Sequence, residues 1–103
     1  MDNSLYHKLV DEQWDRIERG INDSGVDIDY EISGNIFTLD FDNGSQIVIN
    51  RQEPKHEIWL ASKTGGYHFV YKNEQWVCTK SGIEFSELLK RECSIHAEEE
   101  VSW

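Results

Sequence analysis

The side chains best suited to chemistry in this sequence are carboxylates near its amino end. Seven of them could line one edge of the molecule: Asp11, Asp15, Glu18, Asp23, Asp27, Asp29 and Glu31. Carboxylate oxygens are hard ligands that suit iron, manganese, calcium or magnesium. Two interpretations remain open, since such a set can form a weak, unselective field for cations or a solvated face that keeps the protein in solution.

Histidine spacing adds one candidate ligand to this set. The four histidines are too scattered along the chain to form the paired ligands of a zinc site. His7 alone lies four residues before Asp11 on one helix face, so it could join a carboxylate metal site. The Gly and Glu positions that define an EF-hand loop are absent.

Enzyme signatures are weak throughout the chain. The sequence holds no GxSxG, P-loop or GxGxxG motif. Cys78 falls in a predicted strand and Cys93 in a predicted helix, where both are expected to be small core residues. Exposed carboxylates lack the burial that general acid catalysis uses. We therefore expect no catalytic residues and a protein that is not an enzyme.

Charge and length narrow the class of protein. The chain has 103 residues, 10 Lys and Arg against 20 Asp and Glu, and a net charge of −10, which fits one domain. Nine acids and three bases fall in residues 1–31. Such a surface repels phosphate backbones and attracts cations, so we expect no nucleic-acid binding and a partner that is a metal or a basic protein surface.

Targeting signals are also absent from the sequence. No run approaches the roughly 20 apolar residues of a membrane span. The first residues lack the basic and apolar regions of a signal peptide, and the two cysteines form no disulfide framework. We expect a cytoplasmic protein with reduced thiols and no membrane association.

Hydrophobic periodicity predicts the elements that position these residues. A helix with an apolar stripe is capped by Asn3 or Ser4, runs to about Ile21, and is ended by Gly20 and the polar residues 22–25. The period then changes from 3.6 to 2, which predicts six strands. These cover residues 27–32, 36–41, 45–52, 57–62, 67–71 and 75–79.

A second helix closes the chain. Ser81 and Glu84 have the spacing of a capping box, and the helix runs from there to about Ala97. Residues 98–100 are expected to fray. The order predicts an α+β fold, a two-layer α/β sandwich in which an antiparallel six-stranded sheet is covered on one face by the amino- and carboxyl-terminal helices.

The uncovered face of this sheet carries a tryptophan. The alternation of the fourth strand turns Trp59 outward, with Asn50 and Gln52 on the neighbouring strand. A tryptophan among polar residues on an exposed sheet is a candidate protein-binding anchor. The alternative is that Trp59 is shielded by side chains such as Arg51 or Lys63.

The segment Asn-Arg-Gln-Glu-Pro-Lys-His-Glu-Ile-Trp-Leu-Ala-Ser at residues 50–62, with Gly-Gly-Tyr-His-Phe at 65–69, resembles the core motif of the frataxin family in its bacterial form. The resemblance extends over essentially the whole chain, including the acidic first helix, the acidic first strand and the Asn-Gly hairpin. It implies a helix–sheet–helix sandwich and a single frataxin-like domain over residues 1–103.

The resemblance also implies a function. Frataxins bind iron weakly on surface carboxylates and work in iron–sulfur cluster assembly, where they dock on the cysteine desulfurase and its scaffold complex. The bacterial members are described as iron-dependent regulators, and iron donation has also been proposed. The implied ligand is Fe²⁺, Fe³⁺ or both, and other divalent cations could substitute. The matching positions, termed the acidic ridge below, are Asp11, Glu12, Asp15, Glu18, Asp23, Asp27, Asp29 and Glu31.

The family also has protein-binding positions on the exposed face of the sheet. In this sequence they are matched by Trp59, with Asn50 and Gln52 beside it. The chain departs from the family where Arg19 and Asn22 stand near the end of the first helix, and where Glu57 replaces a usual Gln beside Trp59. The first difference bears on how many metal ions bind, and the second on the docking surface.

Two other functions compete with this one. A ferroxidase or iron-storage protein would need carboxylates and His gathered in a sheltered site, for which the sequence has no Glu-x-x-His pair. A generic acidic protein-binding module would need only the charge. A monomer is expected, with self-association once metal screens the acidic surface.

Overall fold

The structure is a computed structural model that describes residues 1–101. Its helices are α1 (Asn3–Ser24) and α2 (Phe85–Ala97), and a short 3₁₀ helix covers Glu53–Lys55. Its strands are β1 (Ile28–Ser33), β2 (Ile36–Phe41), β3 (Gln46–Gln52), β4 (Glu57–Ser62), β5 (Gly65–Lys72) and β6 (Gln75–Cys78). The last two positions of the predicted domain lie outside the described residues.

The six strands form one antiparallel sheet in the order β1-β2-β3-β4-β5-β6. Side chains alternate between a buried face and an open face, as in Phe37, Leu39 and Phe41 of β2. The buried face shares one core with α1 and α2, to which Trp14 and Leu88 belong. The predicted two-layer α+β sandwich is confirmed. No helix within residues 1–101 has the length and apolar character to cross a membrane.

Helix α1 begins earlier than predicted. The carboxylate of Asp2 accepts a hydrogen bond of 2.8 Å from the N–H of Leu5, so Asp2 is the N-cap and the predicted cap at Asn3 or Ser4 is wrong. The helix also continues past Gly20, which is buried in its interior, and ends only at Gly25. Gly25 ends it because it adopts the left-handed conformation, with φ of 72°.

Helix α2 is capped by a different residue from the one predicted. The Glu84 carboxylate accepts from the N–H groups of Ser86 at 2.9 Å and Glu87 at 3.4 Å. The Ser81 hydroxyl instead accepts from Ile83 within the preceding turn, at 3.3 Å, so the predicted capping box does not form. The N-cap is Glu84 itself.

The end of the described chain does not fray at residues 98–100 as predicted. The side chain of Val101 is only 3% exposed and belongs to the core. Its N–H donates a 3.0 Å hydrogen bond to the Ser94 hydroxyl. The acidic residues Glu98–Glu100 therefore form an exposed bend that brings the chain back onto α2.

A buried carboxyl group joins α2 to the β4–β5 hairpin. Glu92 is 2% exposed, and its Oε1 accepts hydrogen bonds from Ser62 Oγ at 2.6 Å and from the Thr64 hydroxyl. His96, one turn along α2 and also buried, places Nε2 3.9 Å from the same oxygen. The His96 carbonyl accepts from Asn43 Nδ2 at 2.7 Å, which ties the β2–β3 turn to the same helix.

Candidate functional site

The acidic ridge runs along α1 and continues over β1. Its members are exposed apart from Glu18, which is half-buried. The Tyr30 hydroxyl of β1 donates a 3.2 Å hydrogen bond to Glu18 Oε2 of α1. This contact sets the two elements side by side, so the two groups of carboxylates follow the same edge of the molecule.

The ridge carboxylates do not converge on one point. In β1, Ile28 and Tyr30 pack toward α1, and the alternation of the strand turns Asp29 and Glu31 to the open face of the sheet. The acids of α1 lie on the helix side of the same edge. The ridge therefore wraps around the edge strand, with part of its charge on each side.

One further carboxylate joins this surface across the strands. Asp40 of β2 is the register partner of Asp29, and its Oδ1 accepts from Gln46 Nε2 at 2.6 Å. Like charges directly opposite each other on a sheet repel. The sequence signal that could have identified Asp40 is the hairpin between the first two strands, since its register sets which residues face each other.

His7 and Asp11 are already engaged by other side chains. His7 Nε2 lies 2.6 Å from Glu53 Oε2, and its Nδ1 lies 3.3 Å from a guanidinium nitrogen of Arg51. Arg51 also pairs with Asp11 at 2.8 Å. A metal ion at this end of the ridge would have to compete with the Arg51 guanidinium for Asp11 and with Glu53 for His7.

Within residues 1–101, no three His, Cys, Asp or Glu side chains are arranged to hold a metal ion. The sheltered site that a ferroxidase would need is therefore not found in that part of the chain. The acidic ridge consists mostly of exposed carboxylates, and exposed carboxylates typically supply one or two ligands each to a hard cation while water completes the coordination. Such sites bind weakly and discriminate little between metals.

The open face of the sheet holds the second group of predicted site residues. Asn50, Trp59 and His68 are register partners across β3, β4 and β5. Gln52 is half-buried beside Asn50, and its Nε2 donates a 2.9 Å hydrogen bond to Asn50 Oδ1. The three predicted protein-binding residues therefore lie together on one patch.

Trp59 is held in place by His68, which the sequence interpretation did not place beside it, and by Glu57, which it did. Its ring stacks on His68 with centroids 4.1 Å apart and planes 7° from parallel. Its Nε1–H donates a 2.7 Å hydrogen bond to Glu57 Oε1, and Lys55 Nζ lies 6.0 Å from the ring centroid. The side chain is half-buried as a result, with His68 covering one side of the ring.

Arg51 does not shield Trp59. Its side chain points to the helix side of the sheet, where the guanidinium carbon lies 5.4 Å from the ring of Trp14. The His68 contact could have been found from the sequence once the β4–β5 register was known, because His68 is then directly opposite Trp59. Glu57 precedes Trp59 by two residues and so shares its face of the strand.

A buried tyrosine links α1 to the strand that carries Trp59. The Tyr6 hydroxyl donates a 2.7 Å hydrogen bond to the carbonyl of Glu57. Burial raises the pKa of Tyr6 to about 12, so the hydroxyl keeps its proton throughout the neutral range. This contact fixes the start of α1 against the start of β4.

Comparison with known proteins identifies relatives along the whole chain. A family model described as a frataxin-like domain matches residues 1–99. The iron-sulfur cluster assembly protein CyaY of Photobacterium profundum is 61% identical over 103 residues, covering 100% of this chain and 98% of the relative. The protein of the same name from Vibrio vulnificus is 56% identical, covering 100% of this chain and 99% of the relative.

Solved structures of frataxins also superpose on this chain. A frataxin from Psychromonas ingrahamii, of the CyaY protein family, superposes with a TM-score of 0.93 at 37% identity, covering 99% of this chain and 97% of that one. A trimeric frataxin from the yeast Saccharomyces cerevisiae in a ferrous complex superposes with a TM-score of 0.69 at 26% identity, covering 96% and 88% of the two chains.

Proposed function

The chain belongs to the frataxin-like family, and we propose that it takes part in iron–sulfur cluster assembly by docking on the cysteine desulfurase and scaffold complex through its acidic ridge. The observation that carries the proposal is the lack of charge compensation along this surface. Of the eight ridge carboxylates, Asp11 alone is in an ion pair among residues 1–101. The process, iron–sulfur cluster assembly, is taken from the names of the relatives that match over the whole chain.

Uncompensated carboxylates act at a distance as well as on contact. Each unpaired charge adds to a field that draws a basic surface toward this edge, and the field extends about 8 Å at physiological ionic strength. Because Asp29 and Glu31 lie on the open face while Asp15 lies on the helix side, a basic partner can reach the edge from both directions. The complex should therefore be weakened by salt.

The patch formed by Trp59, Asn50 and Gln52, termed the Trp59 patch, would provide the apolar part of the contact. The ring of Trp59 is already fixed by His68 and Glu57, so little side-chain freedom is lost on binding. Half-buried aromatic side chains on a polar surface are frequent binding anchors. The Trp59 patch and the β1 acids share the open face, which allows one partner to contact both.

Iron would act on the same surface as a ligand of the ridge. A bound Fe²⁺ or Fe³⁺ ion neutralises part of the negative charge and so changes the affinity for a basic partner. Exposed carboxylates give weak sites, and other divalent cations should compete for them. The protein would then respond to the iron concentration as a regulator, and it could also pass the bound ion on.

The test is cluster formation in a mixture of desulfurase, scaffold, cysteine and Fe²⁺. We would compare no added protein, wild type, the ridge variant Asp15→Lys/Glu18→Lys and the matched variant Glu74→Lys/Glu87→Lys. The matched variant makes the same charge change at two exposed acids outside the ridge. We expect wild type and the matched variant to change the rate alike, and the ridge variant to lose most of that effect.

Two outcomes would overturn the proposal. Wild type could leave the rate of cluster formation unchanged, which would point to iron buffering or to another acidic partner role. Alternatively, both double variants could lose the effect equally, which would show that the net charge of the protein matters and the location of the charges on the ridge does not. Oxygen consumption on adding Fe²⁺ to the protein, against a buffer blank, tests the ferroxidase alternative separately.

A further inference from the structure

On the side of β6 lies a cavity whose charge is opposite to that of the ridge. It has a volume of about 310 Å³ and is formed by the β4–β5 turn, the residues after β6 and one side of α2. This volume is at the lower limit of small-molecule pockets, which run from roughly 300 to 1,000 Å³. The lining includes Cys78, His68, Lys80 and Arg91.

The cavity is cationic in an otherwise acidic protein. Its lining contains Lys80 and Arg91 and no Asp or Glu. Neither of these cations is in an ion pair within residues 1–101. The hydroxyl groups of Thr79 and Ser81 line the same space, whereas the Thr64 hydroxyl, which also lines it, is already donated to Glu92. The two cations therefore favour an anionic ligand over a cationic one.

Cys78 gives this cavity a nucleophile. As expected from the sequence, it belongs to the hydrophobic core, but it also lines the cavity, and its side chain is a free thiol with 4% of the residue exposed. Burial pushes the pKa of Cys78 upward, but hydrogen bonding from Ser81 and the charge of Lys80 outweigh burial, so the net pKa is lowered. A larger thiolate fraction at neutral pH makes a thiol more reactive.

Cys93 is a built-in comparison within the same molecule. It is fully buried in α2, and burial, with the nearby Glu92, raises its pKa to about 12. It is not part of the cavity lining. Any reagent that enters the cavity should therefore find Cys78 and leave Cys93 untouched.

We propose that this cavity binds low-molecular-weight anionic disulfides and that Cys78 forms a mixed disulfide with them. The Cys78 thiolate attacks one sulfur of the disulfide, a new S–S bond forms, and the original S–S bond breaks. The second half leaves as a thiolate and takes up a proton from water. Cys78 is oxidised and the departing half is reduced, so the disulfide is itself the oxidant. This activity goes beyond the proposed function and does not depend on it.

The test compares two disulfides of opposite charge. The protein is treated with oxidised glutathione, which is anionic, or with cystamine, which is dicationic, and mixed disulfides are followed by intact mass and peptide mapping. Each rate is divided by the rate of the same reagent with a small neutral thiol. The net charge of −10 alone would favour cystamine. The cavity predicts that oxidised glutathione is favoured by about tenfold.

Three kinds of variant make the result specific. Cys78→Ser should abolish the reaction, whereas Cys93→Ser should leave it unchanged. Lys80→Gln/Arg91→Gln should remove the preference for oxidised glutathione, and Lys72→Gln, an exposed lysine outside the cavity, should keep it. Modification of Cys93 at a similar rate, a preference for cystamine, or an unchanged preference in Lys80→Gln/Arg91→Gln would each overturn the proposal.

Discussion

Glu92 and the carboxylates of the acidic ridge are the same chemical group in opposite surroundings. Glu92 is 2% exposed and receives hydrogen bonds from two hydroxyl groups. The ridge carboxylates are mostly exposed, and outside Asp11 they form no ion pair in the described part of the chain. Glu92 fixes a hairpin within the fold, whereas the ridge carboxylates, apart from Asp11 and Glu18, face solvent.

The largest expected effect is the loss of stability when the buried Glu92 is replaced. Glu92→Ala should lower the free energy of unfolding by about 3 kcal/mol, because it leaves the Ser62 and Thr64 hydroxyls and His96 without their buried partner. Urea denaturation measures the loss. Glu87→Ala, an exposed position of the same helix, should cost less than about 0.5 kcal/mol. Equal losses in the two variants would erase the contrast.

Arg51 is less buried than Glu92 and less exposed than most ridge carboxylates, so its replacement should have an intermediate effect on the free energy of unfolding. Its side chain is 15% exposed, lies over Trp14 and pairs with Asp11. Arg51→Ala should lower the free energy of unfolding by about 1.5 kcal/mol, mostly through lost packing, since an exposed ion pair adds little. Arg19→Ala, an exposed arginine of α1, is the control and should stay within about 0.5 kcal/mol in the same urea titration.

A second variant separates packing from charge at Arg51. Asp11 is 64% exposed, so Asp11→Asn should change the free energy of unfolding by less than about 0.5 kcal/mol. If Asp11→Asn lowers the free energy of unfolding as much as Arg51→Ala does, the ion pair is stronger than its exposure implies. Asp11 would then, like Glu92, stabilise the fold.

A further small effect should have the opposite sign. Asp27→Asn/Asp29→Asn/Glu31→Gln removes repulsion along β1 and across to Asp40, so the free energy of unfolding should rise by about 0.5 kcal/mol at low ionic strength. The gain should fade in high salt, which screens the charges of the wild type. A loss of stability in this variant would show that the fold depends on the ridge after all.

The sequence was sufficient for the fold because the two hydrophobic periods hold along nearly every element. Strand β4 occupies the predicted residues, and both helices cover the predicted segments with shifted ends. Helix ends were less predictable, since several residues near each end can cap. Asp2 and Glu84 cap their helices where Asn3, Ser4 and Ser81 also had suitable side chains. Which one does so depends on how the helix sits on the sheet.

The candidate site was predictable as a set of residues and not as an arrangement. The alternation of β4 placed Trp59 on the open face, but its stacking on His68 requires the β4–β5 register. Glu92 gave no signal, because a glutamate one turn before a histidine on a helix is typical of an exposed face. It is buried only because the β4–β5 hairpin brings two hydroxyl groups to it.

Strand β1 has a further consequence as the outermost strand of the sheet. An edge strand offers its outer row of backbone N–H and C=O groups to any other chain that can pair with it. Asp29 and Glu31 lie on that strand and Asp27 directly precedes it, and a second copy carries the same charges, so two such edges repel each other. Cations that neutralise these side chains would remove that repulsion, so the carboxylates proposed to bind iron would also set how strongly two such edges repel each other.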